Sequence, residues 1–359
     1  MKIYKAEIKK PDGRIWNQFS RTPIKFTCEP VDFGLLRPDS WQAPTLRHNE
    51  MRNEWTSYSV SRNNRPMLPP KEYCPLCPAS LSGEGGLIFQ TEVPKLEQTF
   101  EWATFENMFP GLSLQNGIGR CEVILYSPNH DSTLGDETVE HISGLIQVWQ
   151  DRSRNIGALP EIEFVFLFEN KGTEVGVTLH HPHGQLYAFN HIPPFVAQEH
   201  LSAHNYFNKT NQCLVCAMRD KEKKDKIRII EETDNIVAYV PFAARYPYEI
   251  HVTTQQHRPL IESLNSNEID DLALVLKKII SRYDSLFGIK MPYLMVHHQS
   301  PAKAPNDLTY HWHIEFYPPY RAAQKLKYLA GVESGTGFFI NDTLPEETAA
   351  HLRSMICNF

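Results

Sequence analysis

The chain has no apolar run approaching the ~18–20 residues of a membrane span, so no membrane-crossing helix is expected. Its opening, MKIYKAEIKKPDG, lacks the apolar core of a secretory leader. An excess of positive charge is missing as well: 36 Lys and Arg stand against 42 Asp and Glu, a net charge of −6. Holding a nucleic-acid backbone needs the opposite balance. A nucleotide needs only a few local cations and is not excluded. Cysteine is sparse, with seven residues in 359. In the reducing cytoplasm that these absences imply, no structural disulfide is expected, and Cys-x-x-Cys reads as metal or redox chemistry.

Four of the seven cysteines form two such pairs, Cys74-Pro-Leu-Cys77 and Cys213-Leu-Val-Cys216, while Cys28, Cys121 and Cys357 stand alone. Each pair opens a similar stretch of chain. After the first come a strand-like run, Cys121–Tyr126, and then His130. A helical pattern follows with Val139, Ile142, Leu145 and Trp149 on one face, then a strand, Ile162–Phe168, and finally His181-Pro182-His183-Gly184-Gln185. The second stretch runs through Asn235–Tyr239, Tyr248–Val252 and His257. Its helix carries Ile269, Leu272, Val275, Ile279 and Arg282, with Asn265 and Glu268 spaced as a capping box. Tyr293–Val296 and His311-Trp312-His313 complete it. From Cys77 to His130 is 53 residues, against 41 from Cys216 to His257; from His130 to His181 is 51, against 54 from His257 to His311.

Each half thus offers two thiolates and two imidazoles: Cys74, Cys77, His130 and His181, then Cys213, Cys216, His257 and His311. Two Cys and two His complete a tetrahedral zinc set with no open position, which reads as structural. One or two zinc ions per chain are expected. In the second half, Glu199, His298, His311, His313 and Glu315 form a rival set that iron or zinc would accept. The mirror of the first half favours the Cys-containing one.

On a strand, alternation puts His181, His183 and Gln185 on one face. That line presents a metal ligand, a nucleophile and a neutral hydrogen-bond donor, with Gly184 removing bulk between them. A neutral imidazole is nucleophilic at physiological pH and can carry a nucleotidyl group. In the second half Glu315 takes the place of Gln185, and a carboxylate there would repel a phosphate. The second half therefore reads as a degenerate copy.

These residues resemble galactose-1-phosphate uridylyltransferase, a branch of the histidine-triad superfamily, over almost the whole chain from about Trp55. The most specific pieces are Phe168-Glu-Asn170-Lys-Gly172, Gly176 and His181-Pro-His-Gly-Gln185. Cys74-Pro-Leu-Cys77, Ser127-Pro-Asn-His130, Phe105-Glu-Asn107 and Phe316-Tyr-Pro-Pro319 support them. The resemblance implies UMP exchange between UDP-glucose and galactose 1-phosphate through a uridylylated histidine. It implies His183 as nucleophile and Gln185 as donor to a phosphoryl oxygen. Asn170, Gly176 and Thr178 would line the phosphates, with Thr178 where serine is usual. Asn107 would belong to the nucleotide pocket, Arg62 and Arg65 to the phosphates. Lys327 and Glu333 match hexose-binding positions supplied by a partner subunit, so a homodimer is implied.

Two features depart from the best-known members, which lack the second Cys-x-x-Cys and bind iron there through Glu and His. The Gly335-Thr-Gly tail also resembles plant ADP-glucose phosphorylases with two zinc sites, although those carry Ser at the Gly184 position. The expected fold is α/β (α+β), with two histidine-triad-like halves of antiparallel-rich sheet and packed helices. Residues 1–50 are an N-terminal extension, 51–195 the catalytic half and 196–359 the degenerate half. The alternatives are an ADP-glucose-type or dinucleotide phosphorylase using the same histidine, and a zinc-stabilised nucleotide-binding module without activity.

Overall fold

A computed structural model describes residues 1–25, 32–78 and 91–357; Cys28 lies outside the described residues. Eleven strands form one continuous, wholly antiparallel sheet. The N-terminal part supplies β1 (Tyr4–Lys9) and β2 (Ile15–Ser20), and a separate hairpin holds β3 (Thr45–Asn49) and β4 (Glu54–Tyr58). Then come β5 (Trp102–Glu106), β6 (Gly119–Leu125), helix α1 (Val139–Gly157), β7 (Phe164–Lys171) and β8 (His183–Phe189). Helices α2 (Pro194–Thr210) and α3 (Leu214–Asp225) lead into β9 (Ile229–Glu232), β10 (Ile236–Tyr239) and β11 (Ile250–Thr254). Helix α4 (Ser266–Leu286), β12 (Tyr293–His298) and β13 (His313–Tyr317) follow. The C-terminal part adds the small ribbon β14 (Tyr320–Ala322) and β15 (Lys325–Leu326), then α5 (Gly331–Thr336) and α6 (Pro345–Ser354).

The strand order is β1-β2-β5-β6-β8-β7-β12-β13-β11-β10-β9. Read outward from the β7–β12 pair, the two sides repeat: β8, β6, β5 on one, β13, β11, β10 on the other. This is the internal repeat seen in the sequence, joined into one sheet by the pairing of Phe168 with Val296 and Asn170 with Leu294. A single row of side chains crosses it: Phe105, Val123, Gln185, Phe168, then Val296, Glu315, His251, Tyr239. Gln185 and Glu315 occupy matching places.

Helices α1 and α4 cover one face and close the main core, which holds Ile142, Leu145, Trp149, Leu272, Leu276 and Ile279. Apolar residues three and four apart give each helix a buried stripe. Thr138 caps α1 by accepting from the His141 amide, and Asn265 with Glu268 forms the expected capping box on α4. Glu268 is fully buried and also receives Arg258 at 2.9 Å. Arg282 does not join the apolar stripe. Its guanidinium donates to the carbonyls of Leu352, Arg353 and Met355, capping the end of α6, where a cation is favoured.

Residues 1–50 do more than extend the chain. β1 and β2 extend the sheet beyond β5, with Trp16 opposite Phe105. Lys10 and Arg14 are almost fully buried, and both ion-pair with Glu92, at 3.2 and 2.9 Å. Both also donate to the Leu35 carbonyl.

Candidate active site and metal centres

Strand β8 alternates between the two faces of the sheet. His183, Gln185, Tyr187 and Phe189 are half-buried on the open face; Gly184, Leu186 and Ala188 are buried on the helix side. The strand begins at His183, so His181 lies just before it and its side chain does not share that face as expected. It turns into the cysteine cluster. The His181 carbonyl accepts from His183 Nδ1 at 2.6 Å. With Nδ1 carrying the proton, Nε2 keeps its lone pair. Burial pushes this imidazole below its ordinary pKa, which favours the neutral form.

Gly184 serves a purpose different from the one read in the sequence. A Cβ there would lie inside contact distance of the Tyr126 hydroxyl and 2.9 Å from its Cζ. Tyr126 is buried on the helix side of the sheet, behind the nucleophile. The missing side chain makes room for that ring.

The open face of β5, β6, β8 and β7 floors a cavity of about 550 Å³. Eight of the ten residues expected for catalysis and substrate line it: His183, Gln185, Arg62, Arg65, Asn107, Asn170, Gly176 and Thr178. The Arg62 guanidinium donates to the Phe109 carbonyl at 3.1 Å and the Tyr187 hydroxyl at 3.3 Å. The Arg65 Nε donates to the Arg62 carbonyl at 3.1 Å. Burial and the neighbouring Arg62 both hold Arg65 below its ordinary pKa. Two cations held together in a half-buried wall are complemented by an anion such as a phosphate. Asn107 accepts from the Phe109 amide and so shapes the turn beside the arginines. Gly176 adopts φ +82° at the end of a short turn over Thr173–Val175, closed by its amide donating to the Thr173 carbonyl.

The other two, Lys327 and Glu333, do not line this cavity. They pair with each other at 3.1 Å, and Lys327 also meets the Ile340 carbonyl. The cavity has lining that the sequence did not disclose: Leu35, Glu92, Phe109, Val123 and Tyr187. Of these, only Tyr187 carried a signal, its place two residues after Gln185 on the same strand face.

Both Cys–His sets assemble, and within each the ligand atoms lie within 4.8 Å of one another. Cys77 Sγ lies 3.3 Å from His130 Nδ1 and 3.4 Å from His181 Nδ1. Cys216 Sγ lies 3.5 Å from His257 Nδ1 and 3.1 Å from His311 Nδ1. Zinc–sulfur bonds of ~2.3 Å and zinc–nitrogen bonds of ~2.0–2.1 Å at a tetrahedral angle separate sulfur from nitrogen by roughly 3.5 Å. The outer nitrogens of His181, His257 and His311 are oriented by Ser127 O, Asp307 O and the Thr254 hydroxyl, each at 2.8 Å. That is the outer-sphere support metal-bound histidines use. Within each pair, a hydrogen bond from one cysteine lowers the pKa of Cys74 or Cys213 and raises that of its partner, so each pair shares one proton that a bound zinc would displace. The donor sets therefore fit zinc. Cys213 occupies the N-cap position of α3, so the second pair opens a helix that follows directly on α2.

The rival set does not assemble as one. His311 turns to the cysteines, while Glu199, His298 and His313 form a separate cluster, with Glu199 2.8 Å from His298. Glu315 groups with Glu249 and His251 instead. His313 repeats the posture of His183, with Nδ1 3.0 Å from the His311 carbonyl, but its Nε2 faces Glu315 at 3.4 Å. Glu315 also meets Arg245 and His251, both at 3.1 Å. The position matching Gln185 is thus an occupied carboxylate. No described helix is long and apolar enough to cross a membrane.

The comparisons with known proteins agree with this geometry. The chain is 34% identical over 325 residues to the galactose-1-phosphate uridylyltransferase of Thermotoga maritima, covering 86% of this chain and 97% of that protein. A solved uridylyltransferase structure superposes with a TM-score of 0.75 at 30% identity, over 86% of this chain and 97% of the other. An ADP-glucose phosphorylase from Arabidopsis thaliana, solved with bound ADP-glucose, superposes with a TM-score of 0.67 at 26% identity, over 88% of this chain and 100% of the other. Residues 88–193 match the family model for the galactose-1-phosphate uridyl transferase N-terminal domain, and residues 199–358 match its C-terminal counterpart. With both halves matched in order, the chain belongs to the galactose-1-phosphate uridylyltransferase family.

Proposed function

We propose that the protein is a UDP-glucose–hexose-1-phosphate uridylyltransferase working by a two-step exchange. The observation that carries this reading is the posture of His183. Its Nδ1 donates to a backbone carbonyl and its Nε2 lone pair is left for the cavity that holds Arg62, Arg65 and Gln185. Nε2 attacks the α-phosphorus of UDP-glucose, the bond to the bridging oxygen breaks, and glucose 1-phosphate leaves with the electron pair. Galactose 1-phosphate then attacks the uridylyl-histidine, forming UDP-galactose and returning the lone pair to Nε2. Arg62 and Arg65 balance the phosphate charge. Gln185 donates to a nonbridging oxygen and is no base for water, so the intermediate waits for a sugar phosphate.

We assign catalysis to residues 51–195 and a degenerate, supporting role to 196–359. Zinc held by Cys74, Cys77, His130 and His181, and by Cys213, Cys216, His257 and His311, would be structural, tying down the chain just ahead of His183 and His313. A homodimer in the cytoplasm accounts for Lys327 and Glu333, which would reach the hexose in a partner's cavity. The second cysteine set and the likeness to an ADP-glucose phosphorylase support a second reading, transfer from ADP-glucose to inorganic phosphate. A panel of nucleotide sugars against hexose 1-phosphates and phosphate separates the two. With UDP-glucose labelled at the α-phosphate, acid-labile label should map to His183. His183→Gly should be nearly inactive, and Gln185→Ala slowed about 10²–10³-fold. Label on another residue, or kinetics that need both substrates bound together, refutes the proposal.

A further inference from the structure

Tyr187 joins the catalytic strand to the loop that carries the arginines. It stands on β8, two residues beyond Gln185 and on the same face, opposite Cys121 of β6. Its hydroxyl accepts from Arg62 at 3.3 Å, and its ring stands close against Gly111, where an added Cβ would lie 3.4 Å away. Arg62 holds Arg65 through its own carbonyl, and its remaining side-chain anchor is the Phe109 carbonyl in the same loop. The arginines lie on a short turn, Val60–Asn64 and Arg65, in which no residue is buried. That turn cannot fix a guanidinium by packing.

We propose that Tyr187 is a positioning residue for phosphate recognition: it ties the arginine turn to the catalytic strand, so that Arg62 faces the phosphates that His183 attacks. The inference rests on the nucleotidyl-transfer reading above. A hydroxyl fits this place because it can accept from the guanidinium, and phenylalanine would fill the same space without accepting. Removal leaves Arg62 charged and still bonded to Phe109, but free to swing.

Tyr187→Phe tests it with UDP-glucose and uridine as probes, or ADP-glucose and adenosine if the panel selects adenine. The KM for the nucleotide sugar should rise about tenfold, the loss expected for one hydrogen bond to a charged group. Turnover should stay within about threefold. The inhibition constant of the nucleoside, which has no phosphate, should not move. In an Arg62→Ala background, Tyr187→Phe should cost nothing more, since the two act as one unit. Equal weakening of nucleoside and nucleotide sugar, or a full additional loss on top of Arg62→Ala, would overturn the inference. If Tyr187→Phe melts well below the wild type, Arg62→Lys replaces it. Lysine keeps the charge without spanning both acceptors and should show the same rise; unchanged KM there sinks the proposal. A wild-type protein that transfers from neither nucleotide sugar refutes the underlying reading instead, and the inference falls with it.

Discussion

Replacing Gly184 by alanine distinguishes two reasons for a glycine between His183 and Gln185. If the glycine makes room for a phosphoryl group on the open face, alanine blocks chemistry and leaves the fold alone. The structure gives the other reason. The added methyl meets the Tyr126 ring, with Cζ at 2.9 Å and Cε1 at 3.0 Å and the hydroxyl closer still. Tyr126 is 1% exposed and packs edge-on against Trp149, so it has little freedom to yield. Forcing a methyl into such a core costs about 1–3 kcal/mol. For a chain of this length that is a fall in Tm of roughly 1–4 °C. Activity should fall as well, because the strand that shifts carries both His183 and Gln185. The decisive variant is Tyr126→Phe combined with Gly184→Ala. Removing the hydroxyl takes away the nearest atom, so the double variant should regain part of both the melting temperature and the turnover. Differential scanning calorimetry and steady-state transfer from UDP-glucose measure the two. Gly184→Ala with unchanged melting and no rescue by Tyr126→Phe would refute the reasoning.

Cys74→Ser should remove one metal equivalent per chain by elemental analysis and lower Tm, because a structural metal contributes its binding energy to folding; metal-free protein with wild-type melting would exclude the sites. Glu169, buried on the core side of β7, has its pKa raised to about 7 by burial, with Lys171 and Tyr293 only partly offsetting this. The native state therefore binds a proton that the unfolded chain, titrating near 4.5, gives up sooner. Stability should fall as pH rises through that window. Glu169→Gln should accordingly stabilise at pH 8, by about 3 kcal/mol if the whole shift is realised, and change little at pH 4.5; equal effects at both pH values in denaturant titrations would contradict it. Mixing inactive His183→Ala with inactive Glu333→Ala should restore some transfer through hybrid dimers, and no recovery despite subunit exchange seen by light scattering would argue that each chain completes its own site.

The parts of the molecule legible in the sequence were those whose chemistry or period is local. The paired cysteines and the later histidines announced both Cys–His groups, which the fold brings together. Helices α1 and α4 showed their buried stripes, and Asn265 with Glu268 showed the cap. Eight cavity residues followed from motifs. What stayed hidden depends on partners far along the chain. The role of Gly184 is set by Tyr126, 58 residues earlier. The division of the rival metal set was fixed by where β13 begins: His313 opens the strand, while His311 lies before it and turns to the cysteines. Strand β2 escaped notice because Asn17 and Gln18 are as buried as Trp16 and Phe19, which erases the alternation of polar and apolar residues.

The buried cations of the turn between β1 and β2 bear on where this protein can be cut. The family match begins at residue 88, and a fragment trimmed to it would look complete by that measure. It would lack Lys10 and Arg14, which clamp Glu92 and the Leu35 carbonyl, and both Glu92 and Leu35 line the cavity beside Asn107. Such a fragment would also expose the edge of β5, with its unpaired backbone and the aromatic face of Phe105 that Trp16 now covers. An uncovered strand edge recruits other chains. Cut after residue 37 instead, the chain would keep both Cys–His sets but should still aggregate, and the outer wall of the cavity would go with the residues removed.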